Sequence, residues 1–423
     1  MRISIFLSYS KILMLLLFLQ AVAYTCLDIA SIAGLQKYDV AWQTQRGFDV
    51  SKYWIVPYST FQFQYMNWFN IIFAFWFQFF LAIDAHIHRN TMQIIAIGIF
   101  NALGFTLFAY EFRLGETTKY CYDTLIFNIQ QAYLQPNASP NVTFEWPTRC
   151  AELYAPTFNG TFSTGTAIED LMVLENNYSL LSYANILNSV MLVLLCISVV
   201  VVGFLAFKTS RDYGWDIYEV NGADIKKRDM LFRYHVFLVL LKFNIYFAIC
   251  NFVDSFYAYV VMLIFNPPAF QHLLELQKQD LVGGGYAYII LMCVLALWCL
   301  MSSVVFFLIG ARAVRTRNYY LMGFMLFVYV VQIFIEGRLF LYWFNVRVPT
   351  AELVCRPYNI YMGVVICIQM VVDFSVVLSG IRVVLDFKDG LAKVVSDMHD
   401  TAPWILTKKP ASMQKLKRRM TID

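Results

Sequence analysis

Lys208 to Asp254 reads KTSRDYGWDIYEVNGADIKKRDMLFRYHVFLVLLKFNIYFAICNFVD. A polar, basic half carrying Lys208, Arg211, Lys226, Lys227, Arg228 and Arg233 passes directly into an apolar half that still contains Lys242 and Asp254. The first half reads as a loop on the positively charged side of a membrane, and the second as the start of a crossing helix. The surroundings support this. The chain of 423 residues is 60% hydrophobic and only 14% charged, against roughly 25% charged in an ordinary soluble domain. Apolar runs long enough to cross about 30 Å of hydrocarbon recur along it.

Eight spans are expected: Ile12–Leu35, Trp68–Ile83, Thr91–Phe112, Tyr183–Phe207, Tyr234–Ile264, Tyr286–Gly310, Tyr319–Phe344 and Ile360–Leu385. The fold class is therefore all-α: one polytopic transmembrane helical bundle covering residues 1–423, because only helices or closed barrels satisfy backbone polar groups in lipid. The first segment admits a second reading. Ala21-Val22-Ala23 is a small-x-small sequence that a signal peptidase could cut, and cleavage there would leave a seven-span, receptor-like chain. The apolar character continues to Leu35, which favours a retained span.

Orientation follows from charge. With both termini cytosolic, the cytosolic segments hold more than twice as many Lys and Arg as the opposite ones, as the positive-inside rule requires. The basic loop 208–233 and a basic tail, 386–423, then face the cytosol. The tail carries Lys408, Lys409, Lys415, Lys417, Arg418 and Arg419 and would be drawn to anionic lipid. Segment 113–182 falls on the lumenal side. It holds four N-glycosylation sequons, at Asn137, Asn141, Asn159 and Asn177, and four in one segment point to a lumenal location. Cys121 and Cys150 share it and could form a disulfide in an oxidising lumen, with Cys355 as a competing partner. Arg89-Asn90 between spans two and three is matched by Arg317-Asn318 between spans six and seven. This raises a four-plus-four parallel repeat, although such turns are basic in any case.

Asp28, Lys242, Asp254, Glu336, Arg338 and Asp373 fall inside expected spans. Each charge costs roughly 2.5–3.5 kcal/mol at a helix centre, so each needs a partner or a wet cavity. Lys242 and Asp254 lie about 18 Å apart along one helix at roughly 1.5 Å per residue and cannot pair with each other. Two readings stand. The carboxylates line a cation or proton path, or the charges are glue, for instance Glu336 or Asp254 with Arg338 and Asp373 with a basic neighbour.

Asp84, His86 and His88 suggest a metal only weakly, since positions 84 and 88 share a helical face while 86 turns away. No HExxH, GxSxG, P-loop or kinase motif occurs, and no cofactor or enzymatic activity is expected. The basic residues flank apolar spans, so nucleic acid is not an expected partner; the bilayer is.

The most distinctive text is Trp215-Asp-Ile-Tyr218, Gly222-Ala-Asp224, Lys227-Arg228, Tyr234 and Leu241-Lys242-Phe243, with Leu81-Ala-Ile-Asp84-Ala85, Arg89-Asn-Thr-Met-Gln-Ile94, Gly98, Asn101 and Asp386-Phe387-Lys-Asp-Gly390-Leu391. On these residues the chain resembles a family of fungal Golgi-apparatus membrane proteins of uncharacterised function. Asn244 stands where that family's pattern has an aspartate, and the sequon-rich loop is larger. The resemblance implies a multi-span protein of the Golgi or a related endomembrane and implies no reaction. Ion- or proton-coupled transport and non-catalytic scaffolding through the cytosolic loops and tail are the functional expectations.

Overall fold

The computed structural model describes residues 8–44, 55–134, 141–143, 161–163, 167–221, 224–265, 285–345, 351–391 and 395. They form eight long helices: α1 (Tyr9–Thr44), α2 (Ile55–His88), α3 (Thr91–Leu134), α4 (Ala167–Asn221), α5 (Ile225–Phe265), α6 (Gly285–Thr316), α7 (Tyr319–Asn345) and α8 (Ala351–Asp386). All eight contain a stretch long and apolar enough to cross a membrane. A short antiparallel ribbon, β1 (Asn141–Thr143) with β2 (Thr161–Ser163), pairs Val142 with Phe162.

The protein is thus a polytopic all-α membrane bundle. Large apolar side chains such as Val200, Phe207, Leu308, Phe327 and Phe334 point outward, which suits a surface bathed in lipid rather than water.

Several helices outrun the expected spans. The apolar stretch of α3 ends at Tyr110 and that of α4 starts at Asn185, yet the helices run to Leu134 and from Ala167. Segment 113–182 is therefore helical over much of its length. Polarity marks where hydrocarbon ends, not where a helix ends, and residues 111–134 contain no proline to break one. Likewise α2 begins at Ile55, well before the aromatic run. Asn177 falls within α4 and Asn141 within β1. Asn137, Asn159, Cys150, Cys355's side chain and the tail beyond residue 395, with its basic cluster, lie outside the described residues, as does the side chain of Cys121 in α3.

The helices group into two units. In the first, α1 packs on α2 and α4, and α3 packs on α2 and α4; in the second, α5 packs on α6 and α8, and α7 packs on α6 and α8. Both are closed four-helix arrangements in the same order. The turns inside them match as well. Arg89 and Arg317 adopt left-handed backbone, with φ of 49° and 53°. Each is followed by an asparagine whose N–H reaches back five residues, Asn90 N to Ala85 O at 3.0 Å and Asn318 N to Ala313 O at 3.1 Å. The same asparagines then cap the next helix, Oδ1 of Asn90 accepting from Gln93 N at 3.2 Å and that of Asn318 from Leu321 N at 3.1 Å. A left-handed helix C-terminus running straight into an Asn N-cap makes a compact reversal.

The seam between the units is organised by α5, which contacts α2, α3 and α4, while α8 also reaches α2. Half of the α5 crossing is buried, against about a third or less of each of the others. Its central ring is Tyr246, which stacks on Phe73 at 5.3 Å and meets Phe77 and Phe100 at 4.9 Å each. In the second unit Gly380 lets α7 and α8 approach; a Cβ there would lie 2.6 Å from Leu326 Cδ2. Small residues at such crossings are what membrane helices use to pack closely.

Candidate functional site

Where α4 gives way to α5, Asp224 caps the new helix, its Oδ1 accepting from Lys227 N at 3.3 Å. This end of the bundle holds the well-compensated charge. Arg233 grips Asp386 of α8 with two bonds, Nε–Oδ2 at 2.7 Å and Nη2–Oδ1 at 2.9 Å. Lys226 meets Asp389 at 2.9 Å. Deeper, Lys242 bonds Asp84 of α2 and also donates to Gln93 Oε1 of α3 at 3.0 Å. Gln93 in turn donates to Leu81 O at 2.7 Å, so both ends of its amide are used. Asp84 is also 3.2 Å from His88 Nδ1. This knot ties α5 of the second unit to α2 and α3 of the first.

His86 turns away from that knot, toward Tyr213 Oη at 2.8 Å and Ser10 Oγ at 3.0 Å. Asp84, His86 and His88 thus form no common site. Among the described residues, no three His, Cys, Asp or Glu side chains converge as a metal cluster.

At the opposite end of α5, Asp254 is fully buried and accepts from Asn70 Nδ2 at 2.9 and 3.0 Å. One turn earlier Asn251 donates to Gln369 of α8. Asp28 is equally buried in α1, one turn beyond Tyr24, whose hydroxyl donates to Met191 O of α4 at 3.0 Å. Arg338 is exposed and makes no ion pair among the described residues. It is two residues from Glu336, so the two cannot share a helical face, and the expected pairings of Glu336 or Asp254 with Arg338 are not formed.

Among the described residues, Asp373 has no basic neighbour either. It faces Glu336 instead, across the contact of α8 with α7. Both are buried, at 0% and 1% exposure. Along α7, Tyr329, Gln332 and Glu336 follow at spacings of three and four and form one stripe. Gln332 Nε2 donates to Glu336 Oε1 at 3.0 Å. Gln332 Oε1 lies 2.9 Å from Ser302 Oγ of α6, and Ser303 Oγ is 3.5 Å from Gln332 Nε2. The remaining oxygens, Glu336 Oε2, both Asp373 oxygens and Tyr329 Oη, have no hydrogen-bond partner among the described residues. Tyr329 and Cys299 lie within electrostatic reach of both carboxyls.

Chemically, this is an oxygen-rich cluster drawn from three helices, with two acidic groups and, among the described residues, no Lys, Arg or His acting on either one. Two carboxyls side by side in a low-dielectric interior cannot both ionise, so the pair holds a proton between its oxygens. The sequence singled out the two acids but not Asn70, Gln93, Ser302, Tyr329, Gln332 or Gln369. Amides and hydroxyls embedded in apolar runs were the available signal, because a polar group at membrane depth needs a reason to be there.

Comparison with protein-family models, with curated proteins and with solved structures gave no match for the chain.

Proposed function

We propose that this multi-pass membrane protein is an ion- or proton-coupled transporter whose coupling site is the Glu336–Asp373 pair. The observation that carries the reading is the contrast in compensation. Lys242–Asp84 and Arg233–Asp386 are closed ion pairs, whereas Glu336 and Asp373 face each other with no basic partner among the described residues. Glue for a bundle uses opposite charges. A pair of acids held together in the middle of one resists explanation as glue and suits a site that loads and releases a cation. Two four-helix units of matching order, joined along α5, also suit a machine in which one unit rocks against the other.

The location proposed is the Golgi or a related endomembrane, with both termini cytosolic and the sequon-bearing segment lumenal. The resemblance carried by Trp215–Tyr218, Lys242 and Asp386–Leu391 supports the compartment, and the Lys and Arg distribution supports the orientation. Removal of N-glycans by a glycosidase, abolished by substituting Asn137, Asn141 and Asn159 together, tests the orientation. An eight-span form is favoured over a seven-span receptor because Leu13, Leu17, Ala21 and Tyr24 of α1 are core residues of the first unit.

The decisive experiment is flux into liposomes reconstituted with the purified protein. Glu336→Gln and Asp373→Asn should fold, insert and elute as the parent does, and should lose ion-dependent flux. Loss of yield with no flux in the parent would instead favour a scaffold acting through its loops and tail.

A further inference from the structure

Arg89 and Arg317 share a left-handed backbone at matched turns, yet their side chains are placed differently. Arg317 is exposed, whereas Arg89 is half-buried, its guanidinium 5.2 Å from the centre of the Tyr213 ring of α4. An aromatic face attracts a cation set over it and so holds this one in position. The ring is itself fixed: its hydroxyl lies 2.8 Å from His86 Nδ1, and Ser10 Oγ of α1 lies 3.0 Å from the same nitrogen. Ser10 and Tyr213 are both buried, so α1, α2 and α4 together support the arginine. Lys11, next to Ser10, is exposed, and Lys11 and Arg89 both act electrostatically on the His86 ring. Two cations from different helices are thus gathered at one corner of the first unit. The acids nearby in sequence are engaged or exposed. Asp84 is taken by Lys242 and His88, and Asp212, beside Tyr213, is exposed. Lys11 makes no ion pair among the described residues.

The depth of this corner identifies the anion that suits it. The apolar stretch of α1 begins at Tyr9 and that of α2 ends at His88. Lys11 and Arg89 therefore stand where hydrocarbon gives way to headgroups, the level of a bilayer that phosphate occupies. From Lys11, Leu15 and Phe18 follow at spacings of four and three on one face of α1, and both are exposed. The Phe18 ring meets Phe79 of α2 at 5.4 Å, which floors the outer seam of the two helices with aromatic surface. A cation heading an exposed apolar strip matches a lipid from end to end, charged group above and acyl chain below. We infer that this corner binds an anionic phospholipid. Lys11 and Arg89 close on the headgroup phosphate, and an acyl chain lies along Leu15 and Phe18. The guanidinium fork suits two phosphate oxygens at once, and Tyr213 holds it ready before the lipid arrives. In the orientation proposed above the leaflet is the cytosolic one, and the site stands apart from the transport reading.

The test uses the full-length protein in detergent micelles, which leave both ends of the bundle accessible, so its outcome does not depend on orientation. Native mass spectrometry follows retention of phosphatidic acid, phosphatidylserine or phosphatidylcholine, each added in turn, with inorganic phosphate as the headgroup without a chain. The two anionic lipids should be retained in preference to phosphatidylcholine. Lys11→Gln and Arg89→Gln should each weaken that retention about 5-fold, as for one basic residue at a membrane surface, and together on the order of 30-fold. Arg89→Lys keeps the charge without the fork and should fall between the parent and Arg89→Gln. Arg317→Gln, at the matched turn, should change nothing. Lys11→Gln alters an exposed side chain and keeps the site testable if Arg89→Gln does not fold. An equal loss with Arg317→Gln, or unchanged retention with Lys11→Gln, means general attraction to a basic surface and overturns the inference. So does equal retention of phosphatidylcholine. Displacement of phosphatidic acid by inorganic phosphate at an equal concentration assigns the corner to free phosphate and overturns the lipid.

Discussion

Near the first Arg-Asn turn, Asp84, a half-buried acid of the first unit, is met by Lys242 and braced by Gln93. In the second unit two acids, Glu336 and Asp373, meet each other and, among the described residues, otherwise only neutral groups. The helices around both are packed in the same order, and the turns that join α2 to α3 and α6 to α7 are alike in backbone and cap. One architecture therefore holds charge in two different ways. In the first, attraction between fixed opposite charges closes the seam; in the second, two acids are set against each other with no opposite charge among the described residues.

That contrast breaks most sharply at Lys242. Lys242→Met strands Asp84, and a loss of about 2–4 kcal/mol is expected, below the ~3–5 kcal/mol of a fully buried pair because Asp84 keeps part of its surface exposed. Thermal unfolding in detergent reads this, and adding Asp84→Asn should restore most of it. A full loss persisting in the double variant would mean that the knot contributes through packing alone. Next in size is Asn70→Leu, which removes two bonds from buried Asp254. A cost of about 1–3 kcal/mol is expected for the acceptor left behind, read by the same melt.

Smaller still, Asn90→Ala and Asn318→Ala should each cost about 1 kcal/mol as lost helix caps. Near-equal values would confirm that the two turns are equivalent, whereas a cost at only one would break the pairing of the units. The smallest stability effect belongs to Glu336→Gln. Removing a charge that lacks a counter-charge should leave the melting temperature unchanged or slightly raised, while ion-dependent flux disappears. A large destabilisation there would move Glu336 from the exchanging class to the structural one.

The crossings themselves were legible because lipid imposes a length and a polarity that any sequence must display. Helix ends were not. Residues 111–134 and 167–184 are too polar to be read as membrane and too regular to be loop, and polarity was the wrong ruler for them. Of the buried charges, the sequence gives positions but no partners. Lys242 and Asp84 are brought together by the packing of α5 on α2, and Glu336 and Asp373 by that of α7 on α8. Nothing local to Arg338 showed that it faces outward while Glu336, half a turn away, faces in. The matched turns sat between these extremes: the Arg-Asn dipeptides were visible, but their left-handed backbone was not.

The overlong helices α3 and α4 have one more consequence. From Tyr110, where the apolar stretch of α3 ends, the helix continues to Leu134, a rise of about 36 Å at roughly 1.5 Å per residue. As a whole, α3 packs against α4, which is itself a wall of the first unit. The pair amounts to a pointer fixed to that unit. Any small tilt of the first four helices against the other four is magnified at its tip, so a probe attached near Leu134 would register a motion too slight to follow within the bilayer.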